Sequence, residues 1–111
     1  MTKIIDNIVW GMPWRPLNHS RDLPGLQLQL ERELAEGHPL WGKDAEVVGR
    51  RVDNDDVLVL CCDGTMAAVH LDWATGPHKN PAEYPSIITY QSLAELQPII
   101  DSDANDYGDD D

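Results

Sequence analysis

The chain has 111 residues, enough for one domain of ordinary size, and its hydrophobic share of 41% suits a globular protein rather than a disordered one. Its formal net charge of −12 disfavours direct binding to nucleic acid or to an anionic membrane, because phosphate contacts require clustered lysine and arginine. No apolar run approaches the roughly 20 residues of a membrane helix, and the first residues lack the features of a signal peptide, so we expect a cytoplasmic protein.

The first 21 residues combine isoleucine and tryptophan with glycine and proline, and this composition predicts an irregular N-terminal arm over residues 1–21. Trp10 and Trp14 are expected either to pin this arm to the body of the protein or to form an exposed contact patch. Both tryptophans are therefore candidate binding residues.

A first helix is predicted over about residues 23–36. Asp22 is the expected N-cap, Gly37 is the expected C-cap, and Pro39 prevents continuation of the helix. Leucines recur at helical spacing and form one apolar stripe. They are Leu23, Leu26, Leu30 and Leu34.

Beyond the first helix the pattern predicts strands. They cover residues 45–52, 56–62, 65–73 and 85–90. Asp63-Gly64 predicts a two-residue type I′ turn, since both turn positions require positive φ. The sequence therefore predicts an antiparallel sheet of three to four strands around a central hairpin, residues 56–73.

The C-terminal region predicts a short helix followed by a tail. Ser92-Leu93-Ala94-Glu95 is a capping box, and Pro98 is expected to end or kink the helix near Ile100. Residues 101–111 contain six aspartates and are expected to be a disordered acidic tail. The fold class is thus α+β, a single domain over residues 1–100 in which the sheet packs against the N-terminal helix.

A two-residue turn also predicts which residues share a face of the central hairpin, because directly opposed residues lie on the same side of a sheet. The face under the leucine stripe would carry Leu58, Leu60, Val69, Leu71 and Trp73. The opposite face would carry Val57, Val59, Cys61, Met66 and Ala68, which is too apolar for a solvated face. We expect the N-terminal arm, another chain or a ligand to cover it, which makes Met66 a further candidate binding residue.

A polar cluster is predicted at the open end of this hairpin. His70 and Asp72 are two residues apart on one predicted strand, and Asp55 lies across from them. A histidine with two carboxylates has the chemistry for binding a divalent metal or for acid–base catalysis. The more common interpretation of such residues is a solvated or locally hydrogen-bonded cluster at the end of a strand.

Four short stretches carry a resemblance to a known family. They are Gly37-His38-Pro39-Leu40-Trp41-Gly42, Asp55-Asp56-Val57-Leu58, Val69-His70-Leu71-Asp72-Trp73 and Tyr84-Pro85. Together they resemble a family of small uncharacterised bacterial proteins of about this length, over roughly residues 23–100. The resemblance implies a cytosolic α+β domain and no particular activity.

The distribution of charge suggests the kind of partner. Residues 54–111 carry a single lysine, Lys79, against twelve acidic residues. We therefore expect a non-catalytic protein-interaction module without a cofactor or bound metal, such as an inhibitor or immunity-type protein that binds a basic partner. The alternatives are a small metal-dependent or hydrolytic enzyme using His70, Asp72 and Asp55, and a homodimer formed through the second apolar face or a sheet edge.

Overall fold

The computed structural model describes residues 8–17, 23–52, 56–71, 73, 80 and 82–108. These residues form β1 (Trp14–Pro16), α1 (Leu23–Glu33), β2 (Glu46–Arg51), β3 (Asp56–Leu60), β4 (Met66–His70), β5 (Ile87–Tyr90) and α2 (Leu93–Gly108). The strands make one antiparallel sheet in the order β1-β2-β3-β4-β5. Neither of the described helices is long and apolar enough to cross a membrane.

The α+β class is confirmed, but the sheet has five strands among the described residues instead of three to four. The additional strand is β1, which lies in the part of the chain predicted to be an irregular arm and pairs with the end of β2. The sequence signal was weak because this strand has only three residues and ends in a proline. Proline is tolerated there because β1 is an edge strand.

The loop of the central hairpin has three residues, not the two that were predicted. The Cys61 N–H donates to the carbonyl of Thr65 (2.8 Å), and the Gly64 N–H donates to the carbonyl of Cys61 (3.0 Å). Gly64 has a φ of 91°. A turn that ends in a left-handed glycine is the usual geometry of a three-residue hairpin loop.

The side chain of Asp63 holds this loop in place. Its Oδ1 accepts hydrogen bonds from the hydroxyl (2.6 Å) and the backbone N–H (3.0 Å) of Thr65, and its Oδ2 lies 2.9 Å from Lys43 Nζ. The Thr65 hydrogen bonds, together with the Lys43 ammonium, hold the pKa of Asp63 well below its usual range. The short polar side chain therefore fixes the loop that sets the register of the hairpin.

The longer loop shifts the hairpin register by one residue, so each side chain of β3 lies on the opposite face of the sheet from the one predicted. Leu58 pairs with Ala68 instead of Val69, and Val57 takes the place opposite Val69. Because the side chains of a strand alternate between faces, a shift of one residue moves the whole set. The prediction that Leu58 and Leu60 face α1 is wrong, whereas Val69 and Leu71 of the returning chain lie on the predicted side.

The sheet is covered on both faces, and each face has its own core. The core beside α1 consists of Leu17, Leu26, Leu30, Leu34, Leu40, Ala45, Val47, Val57, Val59, Cys61, Ala67, Val69 and Leu71. The core beside α2 consists of Ile8, Trp14, Val48, Leu58, Met66, Tyr90, Leu96 and Ile100. The second face is thus covered by α2 together with the N-terminal segment. The N-terminal segment was among the predicted covers, whereas α2 was not.

The prediction of a short second helix and a disordered tail from residue 101 is wrong for residues 101–108. Helix α2 continues to Gly108 with Pro98 inside it, and residues 109–111 lie outside the described part. An internal proline costs about 3 kcal/mol because it removes a hydrogen bond and crowds the preceding turn. Burial of Leu96 and Ile100 against the sheet offsets this cost.

Polar contacts with the N-terminal segment also hold α2. Gln97 forms two hydrogen bonds with the backbone of Val9, one to its carbonyl (2.8 Å) and one from its N–H (2.9 Å). Further along α2, Asp103 Oδ2 accepts a hydrogen bond from the indole Nε1 of Trp14 (2.8 Å). Residues predicted to belong to a mobile tail are therefore fastened to the sheet.

Candidate functional site at the open end of the sheet

The four sequence stretches that carry the family resemblance meet at one end of the sheet. This open end is where β3 begins, β4 ends and β5 begins, away from the hairpin loop. Asp56 of the second stretch contacts His70 of the third (2.7 Å), and His38 of the first contacts Pro85 of the fourth (2.8 Å). Two separate contacts thus bring segments that are far apart in sequence to this end of the sheet, which makes the open end the candidate site.

The Asp56–His70 pair lies on the face of the sheet that carries α2. Asp56 Oδ1 is 2.7 Å from His70 Nδ1, and the side chains are 22% and 55% exposed. Asp56 was not among the predicted site residues, and the register shift places it directly opposite His70. A carboxylate at Nδ1 orients the ring and forms an ion pair when the imidazole is protonated.

The predicted metal or catalytic cluster is only partly described. His70 is present with the contact given above, whereas Asp55 and Asp72 lie outside the described residues. Within the described part of the chain, no group of three or more histidine, cysteine, aspartate or glutamate side chains has an arrangement that could hold a metal ion. Metal-dependent chemistry at this end stays a prediction.

A buried histidine fixes the start of β5. His38 is almost fully buried, and its Nδ1 accepts the backbone N–H of Leu40 (3.0 Å). The proton of the neutral ring must therefore be on Nε2, which donates to the carbonyl of Pro85 (2.8 Å). Through these two bonds His38 joins the loop after α1 to the segment that leads into β5.

A buried carboxylate fixes the residue that follows β4. Glu33 is fully buried at the C-terminal end of α1, and it accepts a hydrogen bond from the Gln29 side chain (2.6 Å). Its Oε2 also accepts the backbone N–H of Trp73 (2.9 Å). Burial of a carboxylate is costly unless it is hydrogen-bonded, and here two donors to Oε2 offset part of that cost.

These two buried residues support two exposed aromatic rings. Trp73 is 52% exposed and Tyr84, the neighbour of Pro85, is 45% exposed. The sequence placed Trp73 in the core under α1, and that prediction is wrong because Trp73 lies beyond the end of β4 with a φ of 58°. The open end therefore presents a tryptophan and a tyrosine to solvent.

The remaining predicted binding residues lie in or against the core beside α2. Met66 and Trp14 are buried in the core beside α2, and the Trp14 indole bonds to Asp103. Trp10 is half-buried against the same core, with its ring over Gly49. A partner could reach Met66 or Trp14 only if α2 moved away from the sheet.

Negative charge gathers at the open end beneath α2. Burial raises the pKa of the Tyr90 hydroxyl, and the nearby carboxylates of Asp103 and Asp56 raise it further. Arg51, at the end of β2, balances part of this charge, since its Nη1 lies 3.4 Å from Asp103 Oδ2. The C-terminal part of α2 therefore adds to the acidic character of the open end.

The two buried residues Glu33 and His38 were not identified from the sequence, although the position of Glu33 carried a signal. Glu33 lies three residues after Leu30 and one before Leu34, in phase with the leucine stripe that faces the sheet. A charged residue in phase with an apolar stripe indicates a buried polar contact. His38 gave no comparable signal, because its partner is a backbone carbonyl 47 residues away.

Comparison with protein-family models, with curated proteins and with solved structures gave no match to this chain. The resemblance to small bacterial proteins therefore stays a prediction. Any function has to be argued from the chemistry of the described residues.

Proposed function

We propose that this protein is a non-catalytic interaction module that binds a basic protein, in the manner of an inhibitor or an immunity-type protein. The observation that carries the proposal is the charge of its C-terminal part. Residues 80–111 contain eight acidic residues and no lysine, arginine or histidine. Glu95, Asp101 and Asp106 lie on the exposed side of α2, and Glu83 is exposed before β5.

The position of Asp106 opposes the stability of the helix. The last turn of a helix carries partial negative charge, so a carboxylate there costs roughly 0.3–1 kcal/mol and a basic residue would stabilise. Asp106 lies in the last turn of α2, which contains no basic residue. Binding to a cationic surface gives Asp106 a role that helix stability does not.

A test begins with affinity capture of proteins from the source organism at low and moderate salt, using the full chain as bait. The captured protein is then purified and titrated against the wild type and two variants with equal changes in charge. The first variant is Asp101→Asn with Asp106→Asn on α2. The control is Glu31→Gln with Glu36→Gln, which are exposed on and after α1.

The proposal predicts a basic partner whose affinity falls as salt rises, because exposed charges are screened. The α2 variant should weaken binding several-fold more than the control variant. An affinity that does not change with salt, or equal effects of the two variants, would contradict it.

The two alternatives have less support. An enzyme using His70 would require carboxylates at positions 55 and 72, which lie outside the described residues. A homodimer through the second apolar face would require that face to be free, whereas α2 and the N-terminal segment cover it. A homodimer through a sheet edge stays a prediction.

A further inference from the structure

We infer that Trp73 and Tyr84 form the surface on which the basic partner docks, and that the group recognised there is an arginine side chain. This inference rests on the proposed function and names its contact site. The surface is called the aromatic platform below.

The exposure of the two rings is the first argument. Both are about half exposed at the same end of the sheet, because Trp73 follows β4 and Tyr84 precedes β5, the strand paired with β4. Tryptophan and tyrosine are enriched among the residues that dominate binding energy at protein interfaces. Their large rings lose little conformational freedom on binding when the backbone beneath them is already fixed.

The support beneath the rings is the second argument. A φ of 58° is unfavourable for a residue with a large side chain, and the buried carboxylate of Glu33 holds the Trp73 backbone there. In the same way, the buried ring of His38 holds the carbonyl of Pro85, next to Tyr84. Two buried polar groups thus fix the backbone at or next to two half-exposed aromatic side chains.

The surrounding charge identifies the ligand. Glu83 is exposed next to Tyr84, and residues 80–111 carry eight acidic residues and no lysine, arginine or histidine. An aromatic face attracts cations, and a planar guanidinium stacks on it better than an ammonium does. A segment of the partner that carries arginine therefore complements both the rings and the acids.

The test uses two capped pentapeptides of equal charge, in which glycine alternates with either arginine or lysine. Each is titrated at low salt into the ¹⁵N-labelled full-length protein, and the indole N–H signals of its four tryptophans are followed by NMR. The Trp73 signal is assigned from its loss in Trp73→Phe. Binding is compared among the wild type, Trp73→Ala, Tyr84→Ala and Leu28→Ala, the last being a control at an exposed apolar residue of α1.

The inference predicts that the arginine peptide shifts the Trp73 indole signal and binds about fivefold more tightly than the lysine peptide. Trp73→Ala and Tyr84→Ala should each weaken binding about fivefold, and Leu28→Ala should leave it unchanged. Circular dichroism confirms that each variant is folded.

Three results would overturn the inference. If the arginine peptide binds both platform variants as tightly as the wild type, the platform is not the docking site, and the acidic module can still stand. If the lysine peptide binds as tightly as the arginine peptide, arginine is not the recognised group. If neither peptide shifts any signal at low salt, the platform does not bind cationic side chains, and the proposed function is then decided by the captured partner.

Discussion

Replacing Asp103 with alanine should destabilise the protein, because this carboxylate fastens α2 to the N-terminal segment. The Trp14 indole donates to it over 2.8 Å, and both side chains are largely shielded from water. A hydrogen bond to a charged group contributes about 1.5–3 kcal/mol. The Arg51 contact at 3.4 Å is weaker and partly exposed, so it adds about 0–1 kcal/mol.

One effect acts in the opposite direction. Removal of a carboxylate from the last turn of a helix gains roughly 0.3–1 kcal/mol, and Asp103 lies just before that turn, so the gain here is at the low end of this range. The expected net loss from Asp103→Ala is therefore about 2 kcal/mol, which for a domain of this size lowers Tm by about 10 °C. Urea denaturation gives the free energy of unfolding, and a thermal melt gives Tm.

A double-mutant cycle assigns the loss to the hydrogen bond. Trp14→Phe keeps an aromatic ring in the core but removes the donor, so Asp103→Ala should cost much less in that background. Asp106→Ala is the control, since Asp106 is exposed on the same helix and its removal should leave stability unchanged or slightly higher. An equal cost of Asp103→Ala with and without the Trp14 donor would refute the reasoning.

Three further predictions follow from contacts elsewhere in the fold. Gly49→Ala places a Cβ 2.5 Å from the Trp10 ring, so it should cost about 1–3 kcal/mol in urea denaturation, and Trp10→Leu in that background should restore part of the loss. Asp63→Ala should be less stable than the wild type at neutral pH, because a lowered pKa favours the folded state only while the carboxyl is ionised. The difference should shrink as pH falls below the ordinary value of 3.8, and a constant difference down to acid unfolding would contradict this. Burial raises the pKa of the Cys61 thiol, whereas Cys62 is exposed, so iodoacetamide should label Cys62 first in peptide mass spectra. Equal labelling rates of the two cysteines would contradict this prediction.

The elements with a clear local signal could be predicted from the sequence. Helix α1 begins where expected and ends three residues early, and Leu26, Leu30 and the following Leu34 pack in the core beside the sheet as the spacing indicated. The four strands of the predicted sheet also exist, each shorter than expected by two to four residues. Periodicity and turn residues are local properties, so the sequence contains them directly.

The register of the hairpin could not be predicted in the same way. Asp63-Gly64 fits both a two-residue turn and the last part of a three-residue loop, because glycine adopts positive φ in either. Choosing the wrong one turned β3 over and left Asp56 unrecognised as the partner of His70. The Asp56–His70 pair followed only from the observed register.

The end of α2 depended on contacts that are distant in sequence. Pro98 and the aspartates after it argued locally against a helix, and that argument took no account of the N-terminal segment. Trp14 and Asp103 are 89 residues apart, so only the tertiary fold brings the donor to the carboxylate. The same holds for the aromatic platform. Glu33 and Trp73 are 40 residues apart in sequence, and His38 and Pro85 are 47 residues apart.

The most direct measurement of the central claim is site-specific photo-cross-linking in cells of the source organism. Tyr84 is replaced by the photo-reactive residue p-benzoylphenylalanine, and a matched control carries the same residue in place of the exposed Leu28 of α1. The account predicts that position 84 cross-links to a basic protein through an arginine-containing peptide, and that position 28 does not. Equal cross-linking from both positions, or cross-links from position 84 to acidic proteins alone, would contradict it.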